Sequence, residues 1–225
     1  MSSGDCGCGC NHGFDMSVHT KPEVRRRVRA ARAALSAAEL ADRGEAMAES
    51  LERHIHPATV VAGYVPMQGE PNVLPFLKRH TLRSGPVYLP VIPPTGHILG
   101  WAPWHPQSPM RRHPKLPIYE PAHGSPLPSG VLVDHASTSQ CPTSLVLLVP
   151  TLALDTAGAR LGQGGGYYDA TTAKLFEILQ EHPKVSCELI AVVHFGELME
   201  PGSFPVESHD LRAARAVTEY GVIDL

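Results

Sequence analysis

The spacing of apolar and polar positions changes several times along this chain. From Lys21 to about Leu35, the residues Val24, Val28, Ala31 and Leu35 recur three or four apart with arginines on the remaining faces, which predicts an amphipathic helix. Ser36 followed three residues later by Glu39 has capping-box spacing, in which hydroxyl and carboxylate each satisfy a backbone N–H left open at a helix start. It predicts a second helix running to roughly His54. The period then shortens. TVVAGYV, Thr59 to Val65, is β-branched and brief, and it gives way to the turn-rich PMQGEPN, as a buried strand feeding a loop does. VLPFLKRH predicts a short helix, PVYLPVI a second strand and HILGWAPW a third. From Pro103 to Pro142 proline, histidine and serine dominate. Only VLVD, Val131 to Asp134, looks strand-like there, so the expectation is a long surface loop. SLVLLVPTLALD, Ser144 to Asp155, is almost continuously apolar, the pattern of a central strand covered on both faces. A glycine-rich loop follows, then a helix over TTAKLFEILQ and a buried strand over LIAVVHF, Leu189 to Phe195. HDLRAARAVTEYGVI predicts a short helix or turn and a final strand. Apolar strands alternating with helices predict an α/β domain with a mostly parallel central sheet and helices on both sides.

A chain of 225 residues supports one sizeable core, so one domain is expected from residue 17 to 225. The apolar fraction of 43% and charged fraction of 18% are those of a soluble globular protein, and no stretch of about 18 apolar residues exists to span a bilayer. A net charge of -3 excludes the broad basic field of a general nucleic-acid binder, although Arg25, Arg26, Arg27, Arg29 and Arg32 form a local cluster. Cys6, Cys8 and Cys10 sit in a glycine-rich segment, and Cys141 and Cys187 stand alone in the body. An odd cysteine count without a signal peptide predicts reduced thiols and a cytoplasmic location. With His12, the segment CGCGCNH offers soft ligands to zinc or copper. CxCxC lacks the usual zinc spacing, so residues 1 to 16 are read as a disordered extension, with Met16 a possible effective start.

The candidate chemistry lies in RLGQGGGYYD, Arg160 to Asp169, where four of ten residues are glycine. A loop between a central strand and a helix lies at the carboxyl edge of the sheet, where open α/β folds bind ligands. Glycines let backbone N–H groups approach an anion closely, and the helix amino end adds partial positive charge. Phosphate suits such a place: Arg160 can pair with a phosphoryl oxygen, Asp169 can hold magnesium, and Tyr167 and Tyr168 supply a ring face and a hydroxyl. The loop is neither a Walker A motif nor a GxGxxG fingerprint. A tight turn whose glycines serve only close packing remains the alternative.

With its neighbours, this stretch resembles the 5-formyltetrahydrofolate cyclo-ligase (5,10-methenyltetrahydrofolate synthetase) family. The most specific piece is VPTLALDTAGARLGQGGGYYD. KPEVR at Lys21, YVPMQGEPN at Tyr64, PIYEP at Pro117 and FPVESHD at Phe204 follow the family's order. The resemblance implies a three-layer α/β/α sandwich of Rossmann-like character. It also implies a magnesium-dependent reaction in which ATP phosphorylates the formyl oxygen of 5-formyltetrahydrofolate, N10 attacks, and 5,10-methenyltetrahydrofolate, ADP and phosphate result. Carried over by position, Lys21, Arg160 and Tyr168 are the catalytic candidates. Lys21, Arg25, Arg160, Leu161, Gly162, Gln163, Gly164, Gly165, Gly166, Tyr167 and Tyr168 match the ATP contacts. Val65, Met67 and Glu70 match the folate side, which Gln163, Gly164, Gly165, Gly166 and Tyr167 also border. Asp169 and Asp210 match the magnesium ligands. For Glu70 a water-exposed turn residue is the competing reading, and for Arg26, Arg27 and Arg29 an ordinary solvated face is preferred. Gln163 stands where tyrosine or arginine is common, Gly165 where some members have lysine, Ala214 where an acid is frequent and Leu154 where phenylalanine is usual. Gln163 and Ala214 leave a non-catalytic nucleotide- or folate-binding relative as the alternative. ATP and 5-formyltetrahydrofolate are the expected partners of a monomer that binds neither nucleic acid nor membrane.

Overall fold

Short polar side chains close the first turn of both amino-terminal helices. Helix α1 (Lys21–Ala33) is capped reciprocally by Thr20 and Glu23, a pair missing from the sequence reading, and α2 (Ala37–His54) by the expected Ser36 and Glu39. The computed structural model describes residues 19–122, 125–138, 144–208 and 210–225. Cys6, Cys8, Cys10, His12, Met16 and Cys141, and with them the expected tail, lie outside the described residues.

After α2 come β1 (Val60–Ala62), α3 (Leu74–Leu82), β2 (Val87–Val91), β3 (Gly100–Pro103), β4 (Met110–Arg112) and β5 (Tyr119–Pro121). Then follow α4 (Gly130–Thr138), β6 (Ser144–Pro150), β7 (Ala153–Asp155), β8 (Arg160–Leu161), α5 (Tyr167–Gln180) and β9 (Ser186–Val192). The chain closes with β10 (Leu198–Met199), β11 (Arg215–Thr218) and β12 (Gly221–Asp224). Seven strands form one sheet in the order β12-β11-β9-β6-β1-β2-β3. Its inner pairings are parallel, and only the outermost ones, β11 with β12 and β2 with β3, are antiparallel.

Alternation along β6 separates two cores. Leu145, Leu147 and Val149 face one side with Leu132 and Val133 of α4 and Leu175 of α5, while Val146 and Leu148 face Met47 and Leu51 of α2 and Phe76 and Leu77 of α3. The expected α/β/α layering is present. Helix α1 stands apart from these layers, packing Val24 and Val28 on Leu152, Ala153, Ala159 and Leu161.

Several local expectations are overturned. The run from residue 144 to 155 is two strands: β6 ends at Pro150, and β7 joins a separate three-stranded sheet with β8 and β10. Both halves are apolar because each is buried: β6 sends alternate side chains to the two faces of the main sheet, while β7 turns Ala153 toward α1 and Leu154 back into the cluster with α4 and α5. At the break, the carbonyls of Pro150 and Thr151 accept hydrogen bonds from Arg160 and Arg32 instead of continuing the ladder. Residues 131–134 are helical in α4, since Leu132, Val133 and Ala136 together form its buried face. The supposed loop from 103 to 142 also contains the β4–β5 hairpin. The carboxyl-terminal stretch is a two-stranded antiparallel hairpin, not a helix or turn followed by a single strand.

Candidate active site

A cleft of about 970 Å³ opens beside the carboxyl end of β6. Residues 160–170 form one wall, residues from 64 to 70 a second, and residues 116–119 of the β4–β5 hairpin a third, while Lys21 and Arg25 reach in from α1.

The glycine loop follows β8, so it leaves the small sheet and not the central strand as expected. It still reaches the main sheet's edge through Arg160. The Arg160 side chain is 4% exposed, its Nη2 donates to the Pro150 carbonyl at 2.8 Å, and its Nη1 lies 3.6 Å from Oδ1 of Asp169. Its guanidinium carbon sits 5.7 Å from the Tyr168 ring centroid. Among the described residues, Nε is buried without a hydrogen-bond partner. Burial lowers the Arg160 pKa, against the opposing pull of Asp169. A Cβ on Gly162 would lie 2.7 Å from Nη2 of Arg160, so glycine here is set by close approach. Gly166, at φ 67, is the left-handed residue before α5 and supplies no side-chain cap. The helix therefore starts at Tyr167, ahead of the predicted segment, with its first-turn amides available to an anion.

Helix α1 brings one face to this loop at four-residue intervals. Nζ of Lys21 donates to Asp210 at 2.7 and 3.0 Å and to Glu207 at 3.3 Å. Partial burial opposes the ammonium charge, but hydrogen bonds to Asp210 and Glu207 outweigh it and the Lys21 pKa rises. Nε of Arg25 donates to the Gly162 carbonyl at 2.9 Å. Arg29, expected on a solvated face, is exposed but tied to the loop: its Nη2 and Nε donate to Oε1 of Gln163 at 2.8 and 3.2 Å. Arg26 and Arg27 are exposed, as expected of them. Asp169 and Asp210 line the same cleft, and Oδ1 of Asp169 accepts from the Leu211 amide at 3.2 Å.

Glu70 is buried, which removes the exposed-turn reading. Its Oε2 accepts from the Met67 amide at 2.9 Å, and its Oε1 accepts from Nε2 of Gln163 at 3.1 Å. Gln163 thus joins the glycine loop to the wall that carries Val65 and Met67. Leu161 is buried in the cluster beneath the loop and meets the cleft from below. Tyr167 and Tyr168 are partly buried in its lining.

Two further contributors escaped the sequence reading. Nδ1 of His97 donates to the Gly165 carbonyl at 2.9 Å, and its ring centroid lies 5.4 Å from that of Tyr167. The hairpin wall is anchored by Glu120, whose Oε2 accepts from the Ile92 amide at 3.1 Å and whose Oε1 accepts from Arg111 at 3.0 Å. PIYEP was the available signal for this anchor, since it places a carboxylate between prolines. Ala214 is exposed and absent from the lining, so the acid missing at that position leaves the described wall intact. Among the described residues, no group of three or more His, Cys, Asp and Glu side chains is placed to hold a metal by itself.

A model of the 5-formyltetrahydrofolate cyclo-ligase family matches residues 17–219. The chain is 30% identical over 163 residues to the 5-formyltetrahydrofolate cyclo-ligase of Escherichia coli strain K12, covering 72% of this chain and 78% of that one. It is 28% identical over 161 residues to the Haemophilus influenzae protein of the same name, covering 69% and 79% respectively. In fold it resembles the 5,10-methenyltetrahydrofolate synthetase of Aquifex aeolicus with a TM-score of 0.65, at 24% identity and over 91% of this chain and 92% of the other.

Proposed function

This chain belongs to the 5-formyltetrahydrofolate cyclo-ligase family, and from that premise we infer how its cleft carries the reaction. It is an enzyme that converts 5-formyltetrahydrofolate and ATP to 5,10-methenyltetrahydrofolate, ADP and phosphate. A formamide oxygen is a poor leaving group. Phosphorylation of that oxygen makes the formyl carbon electrophilic, N10 attacks it, and the oxygen departs with phosphate.

The protein's tasks are charge stabilisation and positioning. Lys21, Arg25 and Arg160 supply cations to the phosphate side, and residues 161–168 supply amides and the helix amino end. Arg160 keeps its charge in a dry setting between Asp169 and the Tyr168 ring, where it acts more strongly than in water. Burial raises the Tyr168 pKa despite the nearby Arg160, so the phenol remains protonated and serves as a hydrogen-bond donor. Val65, Met67 and Glu70 hold the folate, with the carboxylate facing the donor-rich pterin edge. The single observation that carries this division is Gln163, which contacts Glu70 while its loop contacts Arg25 and Arg29.

The donor set fits magnesium. Mg²⁺ binds through one or two carboxylates plus substrate phosphates and retains waters, so Asp169 and Asp210 suffice without a protein-only cage. When bound with ATP the ion neutralises phosphate charge. Lys21, now paired with Asp210, neutralises that carboxylate in the structure described.

We further infer a cytoplasmic monomer. No helix among the described residues is long and apolar enough to cross a membrane, and Cys187 carries a free thiol, as a reducing compartment allows.

The test is an absorbance assay. Purified protein is expected to build the near-ultraviolet methenyl chromophore only with ATP, magnesium and the 5-formyl substrate together. No gain at high enzyme concentration would overturn the assignment.

A further inference from the structure

Gln163 holds Glu70 from the cleft side, but a second group braces it from behind. Arg32, in the last turn of α1, is 5% exposed and does not line the cleft. Its Nε and Nη2 donate to the two carboxylate oxygens of Glu197 at 2.6 and 2.8 Å, and Nη2 also donates to the Thr151 carbonyl at 2.6 Å. Those bonds fix the guanidinium plane. The remaining nitrogen, Nη1, is buried without a hydrogen-bond partner among the described residues and lies 3.9 Å from Oε1 of Glu70. The stem of the arginine touches the same turn, because a Cβ on Gly69 would lie 3.0 Å from Cβ of Arg32. His194 completes the frame: its backbone N–H donates to Oε2 of Glu197 at 3.0 Å, and its ring Nε2 donates to the Gly69 carbonyl at 3.2 Å.

We propose that Arg32 is a positioning residue for the folate side of the cleft, clamped by Glu197 and Thr151 so that its free nitrogen holds Glu70 in place as a carboxylate. This rests on the reading of Glu70 as the folate carboxylate. Glu197, Arg32 and Glu70 together carry one negative charge in excess, and of the three only Glu70 lines the cleft. A buried carboxylate is stable only beside a cation or a full set of donors. Gln163 and the Met67 amide give Glu70 two donors, and a donor-rich ligand displacing the exposed Gln163 leaves the Arg32 contact untouched. The arginine therefore sets where the carboxylate stands when substrate arrives.

Arg32→Met alone would strand Glu197, so Arg32→Met/Glu197→Gln is compared with wild type, with and without Glu70→Gln. The readouts are kcat and the KM values for 5-formyltetrahydrofolate and ATP in the absorbance assay. The double variant should raise the folate KM about tenfold or more while the ATP KM stays within about twofold. Added to Glu70→Gln, it should change the folate KM by less than about twofold, because both changes act through one group. Arg32→Lys, which keeps the charge, should fall between wild type and the double variant and serves as the test if the latter fails to fold. Equal increases in both KM values, or full additivity with Glu70→Gln, would overturn the proposal. A Glu70→Gln enzyme with wild-type folate KM would overturn the reading of Glu70, and this proposal with it. A raised KM there that the Arg32 variants do not share would overturn the proposal alone.

Discussion

Replacing Gly162 by alanine separates close approach from backbone strain in the glycine loop. Gly162 does not have a left-handed φ, so alanine is compatible with its backbone. The added carbon, however, would lie 2.7 Å from Nη2, 2.9 Å from Nη1 and 3.1 Å from Cζ of Arg160. Ordinary contact between heavy atoms needs about 3.5 Å or more, so the guanidinium must retreat by roughly 0.5–1 Å. Retreat strains the 2.8 Å bond to the Pro150 carbonyl and the 3.6 Å approach to Asp169. Overpacking of this kind costs about 1–3 kcal/mol, which for a chain of this size lowers Tm by roughly 2–12 °C. Catalytically, a displacement near 1 Å can cost on the order of 100-fold, so kcat/KM for ATP should drop by about 10- to 100-fold, with the folate KM changing less. Scanning fluorimetry and initial rates at saturating folate measure the two effects. Gly130→Ala is the control, since nothing lies within 4 Å of its added carbon at the start of α4. It should be neutral or stabilise by up to about 1 kcal/mol. If Gly162→Ala melts and turns over like wild type, Arg160 is not held as argued.

Asp169→Asn should retain the hydrogen bond from the Leu211 amide and therefore melt within a few degrees of wild type, while kcat/KM for ATP falls at least about tenfold and recovers in part at raised magnesium. Wild-type kinetics at low magnesium would count against its role. Burial lowers the pKa of His80 and of His194, so as pH falls the unfolded chain takes up protons before the folded one. Their contribution is complete above about pH 6.5 and is lost as pH falls toward the depressed folded values. Tm should therefore be level from pH 8 to 7 and decline below about 6.5, with a shallower decline in His80→Asn. A Tm that rises between pH 7 and 6 would contradict this sign.

Much of the architecture was legible in the chain, because period and hydrophobicity are properties of neighbouring residues. Ser36 and Glu39 announce α2, the alternation of apolar runs announces a layered α/β sheet, and the glycines beside Arg160 announce the loop that lines the cleft. Lys21, Arg25 and Arg29 already stood four apart, which puts them on one helical face. Other features depend on which distant segments meet. An unbroken apolar run reports burial but not the strand it pairs with, so the division between β6 and β7 was invisible until β7 joined β8 and β10 in a separate sheet. Likewise, four residues such as VLVD fit either period, and α4 is helical because Leu132, Val133 and Ala136 meet the sheet together. Arg32 reads as one more surface cation until Glu197, far along the chain, closes over it, and the exposed-turn alternative for Glu70 stays open until the fold buries that side chain beside Gln163. Ion pairs and hydrogen bonds between remote residues leave no periodic trace. They arise only once strand order and helix packing fix the separations, and for this protein those separations shape the cleft wall that carries Glu70.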